Sequence, residues 1–432
     1  MNNLLLSLLA IFLFLAQGAH AQQKPNIILI MADDLGYETL ECNGGESYLT
    51  PNLNQLANEG VRFSRAYSMP ICTPSRVQIM TGKYNFRNYT RFGLLDPEER
   101  TFAHLLKDKG YTTAVAGKWQ LEGGEESPYG FGFEEYALWQ VRTGDYWYRY
   151  KDPILYNNGE RMKNTNGKYG PDVFTDFIMD FTKRKSEEKQ PFFVYYPMCL
   201  VHDPFQPTPA LANFEEYSIE GLNHEAYFDD MMAYMDDNLG RLVNHLEEIG
   251  VRDNTLIIFT GDNGTDRDVV SLMEGQVVRG GKGLPIERGT HVPLIASWPG
   301  FHQAGLLSEN LVDFTDVLPT LIEAAGAKIP QDFLTDGRSF LPQLKGENKT
   351  ARDWVYCDYD AKRSDTPVVR YAQEYRYKLY DDGRFYDIAN DPEETMPINP
   401  FQYQGPLQRR YKKLKNVLEV YEKQKTTAKS DH

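Results

Sequence analysis

Two acidic pairs are the first residues whose types and placement suggest chemistry. Asp33-Asp34 follows the apolar run 26–31, and Asp262-Asn263 follows the apolar run 255–260. Adjacent carboxylates in a partly buried crevice repel one another unless a cation holds them, and the two pairs together offer four oxygen donors that suit a hard divalent ion. One such pair alone reads as a turn or a helix cap. Two at the ends of two predicted strands favour the ligand reading. A third centre is Cys72-Thr73-Pro74-Ser75-Arg76, which runs on to Thr81-Gly82. Pro74 suits the first turn of a helix, so Cys72 would face the helix's positive end. Free backbone N–H groups and the guanidinium of Arg76 there favour an anion, or negative charge developing on a bound group. Standing alone, the segment would read as a core cysteine beside a surface ion-pair arginine.

These residues need a frame to bring them together. Short apolar runs at 26–31, 112–116, 192–196, 255–260 and 292–297 read as buried parallel strands. Amphipathic stretches at 51–59, 101–109, 169–184, 226–249 and 314–325 alternate with them, which predicts an α/β fold with a doubly wound sheet. In open sheets of this kind ligands bind beyond the carboxyl ends of the strands. Gly117-Lys118 closes the second run and His202 follows the third, so both join the acidic pairs at that edge. The expected organisation is a leader at 1–21, a catalytic domain at 22–331 and a smaller C-terminal subdomain at 332–432. In the last, short aromatic runs at 354–359, 368–374, 377–380 and 385–387 predict an antiparallel series, and the helical spacing over 407–425 predicts a helix packed on it. The basic residues Arg409, Arg410, Lys412, Lys413 and Lys415 of that helix read as a solvated face. The Gly- and aromatic-rich stretch 123–167 has weak periodicity and reads as long loops near a site.

Composition narrows the function classes. With 41% hydrophobic and 25% charged residues among 432, the chain is neither disordered nor a small disulfide-stapled scaffold. Its 46 Lys plus Arg against 61 Asp plus Glu give a net charge of −15, which argues against nucleic acid or anionic lipid as a partner. The first 21 residues lack charge, carry the apolar run 4–15 and end in Ala19-His20-Ala21, the pattern of a secretory leader cut after Ala21, with an uncleaved anchor as the alternative. The expected location is therefore secreted or periplasmic, with no membrane span after leader removal. Cys42, Cys72, Cys199 and Cys357 are scattered without a Cys-x-x-Cys pair, so no zinc knuckle is signalled, and Cys199 reads as a small buried hydrophobe.

On these motifs the chain resembles the sulfatase family of the alkaline-phosphatase-like superfamily. The family signature, Cys or Ser-x-Pro-x-Arg followed by Thr-Gly, is matched by Cys72 to Arg76 and Thr81-Gly82 at the same spacing. Further matching stretches are Pro25-Asn26-Ile27 with Asp33-Asp34-Leu35-Gly36, Gly117-Lys118-Trp119, Thr260 to Gly264, Lys282-Gly283 with Val292-Pro293-Leu294, and Tyr386-Asp387 with Asn390-Asp391-Pro392. The resemblance implies a doubly wound mixed sheet flanked by helices, with a smaller C-terminal antiparallel-sheet subdomain. It implies a sulfuric ester hydrolase in which Cys72 is oxidised to formylglycine by a maturation enzyme and its hydrate is the nucleophile. Asp33, Asp34, Asp262 and Asn263 would hold a calcium ion, in preference to magnesium, with the residue 72 hydrate as a further ligand. Arg76, Lys118 and Lys282 would bind sulfate oxygens or neighbouring groups, and His202 would assist departure of the alcohol.

Two positions depart from the family pattern. Gln120 stands where Gly-Lys-Trp-His is common, and an amide can hydrogen-bond at the substrate but cannot accept a proton near neutral pH. Downstream, the common Glu-Gly-Gly-x-Arg reads Glu287-Arg288-Gly289-Thr290-His291. Competing motifs fail. Gln276 and Gly283 break a P-loop around Lys282, Phe228 occupies the second histidine position of a zinc-protease helix begun by His224-Glu225, and no Gly-x-Ser-x-Gly elbow occurs. Aromatic residues Trp139, Tyr146, Trp147, Tyr148 and Tyr150 with Arg142 and Arg149 suit either stacking on a sulfated sugar or plain core packing. The expected substrate is a sulfated carbohydrate. The alternatives are a phosphodiester or phosphonate hydrolase on the same scaffold, and a catalytically impaired glycan-binding protein motivated by Gln120.

Overall fold

Asn26–Ala32 is buried at every position because it runs through the middle of a sheet covered on both faces. The computed structural model describes residues 24–142, 144, 148–218, 222–347, 349, 351–361, 368–402 and 405–430. The expected leader at 1–21, Tyr146 and Trp147 lie outside the described residues. In chain order the elements that position the site are β1 (Asn26–Ala32), α1 (Pro51–Glu59), β2 (Val61–Tyr67), α2 (Cys72–Thr81), α3 (Phe102–Lys107), β3 (Thr112–Lys118), β4 (Glu135–Trp139), α4 (Gly170–Glu187), β5 (Phe192–Pro197), α5 (Phe228–Glu248), β6 (Thr255–Gly261), β7 (His291–Ser297) and α6 (Val317–Ala324).

The sheet runs from an edge at Leu306–Ser308 through β2, β7, β6, β1, β5, β3 and β4 to Leu155–Asn157 and Glu160–Arg161. The five strands β6, β1, β5, β3 and β4 are parallel. Side chains alternate across β1: Ile27, Leu29 and Met31 pack with residues of α2, α3 and α6, whereas Ile28 and Ile30 pack with residues of α1, α4 and α5. The fold is the expected mixed α/β sheet flanked by helices.

Two expectations are corrected. The run 292–297 forms a strand, β7, but it is antiparallel to both β6 and β2. A parallel return needs a long crossover. Between β6 and β7 the chain instead makes the hairpin Val270–Met273 with Gln276–Arg279 and a four-residue helix, Glu287–Thr290, and so comes back in the opposite direction. The stretch 123–167 is not loops alone, since β4 pairs in parallel with β3 and Leu155–Asn157 extends the same sheet. Strands of five and three residues are too short to reveal a period.

Beyond α6, strands β8 (Val355–Tyr359), β9 (Val369–Gln373), β10 (Tyr377–Tyr380) and β11 (Phe385–Asp387) pair antiparallel in chain order, as expected. Helix α7 (Pro406–Ser430) lays Leu414 and Val417 against Tyr356, Ala372, Leu379 and Phe385. Its basic face is not merely solvated. Arg410 and Lys413 reach Glu374 at 3.1 and 3.5 Å, and Lys425 reaches Asp358 at 2.8 Å, so part of that face ties the helix to the sheet.

Candidate active site

The register of two neighbouring strands sets the acidic residues side by side. In the β1 and β6 pairing Met31 faces Thr260 and Ala32 faces Gly261, so Asp33-Asp34 and Asp262-Asn263 leave the sheet together. Backbone bonds stitch the exits: Asp262 N–H donates to Ala32 O, and Asp34 N–H donates to Asp262 Oδ1 at 3.0 Å. Asp34 adopts a left-handed φ of 60°, which an aspartate tolerates better than most residues. All four side chains are fully buried.

Basic residues converge on this cluster from three other elements. Lys118, the last residue of β3, places Nζ 2.9 and 2.7 Å from the two carboxylate oxygens of Asp33. The strand can approach this closely because Gly117 precedes it, since a Cβ there would lie 1.9 Å from Pro197 O. Helix α2 begins at Cys72, and Arg76, four residues on, shares its face. Arg76 is 1% exposed, so it is no surface ion-pair arginine. It donates from Nη1 to Lys118 O at 3.0 Å and holds Nη2 3.5 Å from Asp262 and 3.9 Å from Asp33. Lys282 enters on the loop after β6, where Gly283 N–H donates to Pro70 O just ahead of α2, and its Nζ lies 2.6 Å from Asp34 Oδ2.

His202 closes the ring. Asp33 N–H donates to Leu200 O and Val201 N–H to Asp33 O, which lace the segment after β5 to the acidic pair. His202 Nε2 then sits 2.9 Å from Lys282 Nζ and 3.6 Å from Asp34. Gln120 lies at the rim, its Oε1 3.5 Å from the hydroxyl of Thr73, next to Cys72. All ten residues singled out in the sequence therefore gather at one place. Asp203 and Arg149, which touch His202, were not among them. Asp203 had a local signal in its adjacency to His202, whereas Arg149 lies 53 residues away in the chain and stood out only as part of the aromatic stretch, with nothing to connect it to His202.

Electrostatics in this crevice are out of balance. Burial opposes ionisation of Asp33, but Lys118, His202 and Arg76 outweigh it and hold its carboxyl well below the usual carboxylate range. For Asp262, burial and then the charge of Asp33 win over Arg76 and Lys118 and push it well above that range. Lys282 is held high because Asp34, Cys72 and Asp33 outweigh its burial. Asn263 Oδ1 is buried with no hydrogen-bond partner, although its amide nitrogen donates to Asp34 Oδ1 at 2.8 Å. An orphaned oxygen among three buried carboxylates is the donor chemistry of a hard cation, and candidate ligand atoms of Asp33, Asp34 and His202 come within 4.8 Å of one another. Asp34 also groups with Asp203 and Asp266 in this way.

The aromatic stretch resolves in part. Trp139 and Tyr150 are buried: the Trp139 face carries the Arg149 guanidinium at 4.6 Å, and the Tyr150 hydroxyl donates to Cys199 O at 2.8 Å. Both belong to the core and offer no platform for a sugar. Cys199 is buried, and all four cysteines are free.

Residues 25–327 match the family described as Sulfatase, and residues 282–424 match N-sulphoglucosamine sulphohydrolase, C-terminal. The chain belongs to the sulfatase family. It is 33% identical to mouse N-acetylgalactosamine-6-sulfatase over 76% of this chain and 68% of that protein. It is 27% identical to the N-acetylglucosamine-6-O-sulfatase of Bacteroides thetaiotaomicron over 98% of this chain and 91% of that one. Among solved structures, the PsFucS1 sulfatase from Pseudoalteromonas sp. superposes with a TM-score of 0.77 at 24% identity, covering 95% of this chain and 93% of that one. As a sulfatase the chain is a sulfuric ester hydrolase, with the fold of that family along nearly its whole described length.

Proposed function

We propose that this sulfatase is an exported enzyme that removes sulfate from a sulfated carbohydrate, using Cys72 oxidised to formylglycine and a calcium ion held by Asp33, Asp34, Asp262 and Asn263. The observation that carries the proposal is the convergence of Arg76, Lys118, Lys282 and His202 on one buried acidic cluster beside the start of α2. The cation, when bound, supplies positive charge that offsets the sulfate oxygens and makes a nearby hydroxyl more acidic. The oxidised residue 72 supplies, as its hydrate, the nucleophilic oxygen.

The other steps belong to the chain's own side chains. A sulfate monoester repels an incoming nucleophile with its charged oxygens, so Arg76, Lys118 and Lys282 bind those oxygens and orient the sulfur. Lys118 and Lys282 carry this charge in a water-poor crevice, where it acts more strongly than at the surface. His202, turned to the same crevice, holds a proton for the alcohol oxygen as it departs. Gln120 can donate a hydrogen bond to the substrate but cannot take a proton from it. Both curated relatives named above are called 6-sulfatases of N-acetylhexosamines, which supports a carbohydrate and makes 6-sulfated N-acetylhexosamines the first substrates to try. No helix of the described residues is long and apolar enough to cross a membrane, and export rests on the leader pattern of the first 21 residues.

The test is to produce the chain alongside a formylglycine-generating enzyme and measure two quantities. Mass spectrometry of the peptide containing Cys72 is expected to show CHO in place of CH2SH. Sulfate release from a 6-sulfated N-acetylhexosamine oligosaccharide, or from another sulfated glycan, is expected only from the converted protein. Release by a chain whose Cys72 remains a thiol would remove the nucleophile assignment. Faster turnover of phosphate or phosphonate esters than of any sulfate would move the enzyme to the alternative reaction.

A further inference from the structure

The imidazole of His202 is engaged on both sides by partners of fixed chemistry. On one side Nδ1 lies 2.8 Å from Asp203 Oδ1 and 2.6 Å from the Asp203 carbonyl, both of which can only accept, and both closer than Arg149 Nη2 at 3.3 Å, whose hydrogen is directed to that carbonyl. On the other side Nε2 lies 2.9 Å from Lys282 Nζ, which as an ammonium can only donate. Nδ1 therefore carries a hydrogen whatever the charge of the ring, and Nε2 is left as the nitrogen that faces Lys282 and Asp34, where the working proton is gained or given up. The opposite tautomer would leave two acceptors facing a bare nitrogen. Asp203 is itself held, because Arg149 donates from Nη2 to its carbonyl. Arg149 is 6% exposed and lies against the faces of Trp139 at 4.6 Å and Tyr150 at 5.5 Å, so the support is rigid. The single hydroxyl hydrogen of Tyr150 is shared between His202 O at 2.5 Å and Cys199 O at 2.8 Å, which ties the backbone of the same residue.

From this arrangement we infer that Asp203 is a positioning residue for the sulfatase reaction. Its carboxylate fixes the tautomer and the plane of His202, so that Nε2, and not Nδ1, is presented to the bridging oxygen of the ester. The inference deepens the function proposed above and rests on it. The logic is that of any base whose far nitrogen is held by a carboxylate: the held nitrogen sets which nitrogen works. His202 bears this alone at its position because Gln120 contributes no second imidazole at the rim. Asp203 is 40% exposed at its side chain, so replacing it opens no large cavity.

The experiment compares the full chain with Asp203→Ala and Asp203→Glu by two readouts. In proton NMR of the ring-labelled chain, the His202 Nδ1–H signal of a charge-assisted bond is expected far downfield. It should move upfield in Asp203→Ala, which keeps only the neutral carbonyl, and return in Asp203→Glu. In steady-state sulfate release from a sulfated sugar, Asp203→Ala is expected to lower kcat by about tenfold or more with KM changed less than about threefold, and Asp203→Glu to recover part of the loss. An Nδ1–H signal unmoved in Asp203→Ala, or a loss that falls in KM, would overturn the inference. The NMR reading is taken whether or not Cys72 is modified, so it judges Asp203 by itself. Absence of sulfate release from the unaltered chain would instead count against the function proposed above.

Discussion

Two clusters of buried charge lie on either side of α2, and they are built on opposite terms. Behind the helix, Arg352 is saturated by the chain itself. It donates to Asp316 from Nε at 2.6 Å and Nη2 at 2.5 Å, to the Thr315 and Tyr84 hydroxyls, and to Asp336 O. Asp316 in turn accepts the backbone N–H groups of Asp313 and Arg338. Gln78, inside α2, donates to Asp313 at 2.7 Å, so this cluster anchors the helix that carries Cys72. In front of the helix the crevice keeps three buried carboxylates together, leaves Asn263 Oδ1 and Arg76 Nε unpartnered, and drives Asp33 and Asp262 in opposite directions. Buried charge that the chain pairs internally, as Arg352 with Asp316 where only the neutral Gln78 Oε1 is left without a partner, holds structure together. Buried charge left short is available to something the chain does not supply.

The largest contrast should come from the crevice. Cys72→Ala is expected to bring sulfate release to background while leaving the thermal transition within a few degrees of the parent, since one small buried side chain is shortened. Sulfate release retained at the parental rate would show that residue 72 is not the nucleophile. Asp262→Ala should come next, with a loss of about a hundredfold or more in kcat/KM and a matching loss of bound calcium measured by elemental analysis. Full calcium content in that variant would take Asp262 out of the ligand set.

Much of the crevice was legible in the sequence, for a physical reason. Strands buried on both faces must be nearly continuous apolar runs, so β1, β3, β5 and β6 announce themselves, and the polar residues directly after them fall at one edge of the sheet. Asp33, Asp34, Lys118, Asp262 and Asn263 could be gathered on that argument alone. β2 could not, because Arg62, Ser64 and Arg65 interrupt its apolar side chains where the strand nears the sheet's margin. Lys282 follows no strand of the large sheet; the backbone bond from Gly283 to Pro70 and the two-stranded hairpin just before it bring it in, and only the family resemblance named it. The saturated cluster was invisible for a different reason. Asp313 and Asp316 form a local capping box, but Gln78, Asp336 and Arg352 are single polar residues with no motif, and only the packing of α2 against the turn before α6 and of the chain after α6 against both brings them within hydrogen-bond reach.

That cluster gives the reverse experiment. Arg352→Leu leaves Asp316 buried without its partner, and breaking such a pair costs about 3–5 kcal/mol. The effect should appear as a lowered urea midpoint, with kcat per folded molecule changed less than about twofold because no atom of Arg352 touches the crevice. Replacing both Arg352 and Asp316 by apolar residues should cost less than the single change, since no charge is then stranded. A single substitution that left stability intact but abolished turnover would erase the distinction between the two clusters.

The smallest expected effect tests the crevice at its rim. Gln120 has a left-handed φ of 56°, a region that histidine enters more readily than most residues, so Gln120→His should fold without added backbone strain. The new imidazole would stand near Thr73, one residue from Cys72, and would offer a proton acceptor where the amide offers none. If proton removal at that side limits turnover, kcat should rise by up to about tenfold with KM nearly unchanged, and the pH profile should gain a limb near the pKa of a histidine. An unchanged or lower kcat would mean that the imidazole of His202, held by Asp203 and facing Lys282, already meets the proton demand of the cycle. The substitution at 120 would then be an accommodation to substrate shape, and the impaired-binder alternative would lose the residue that motivated it.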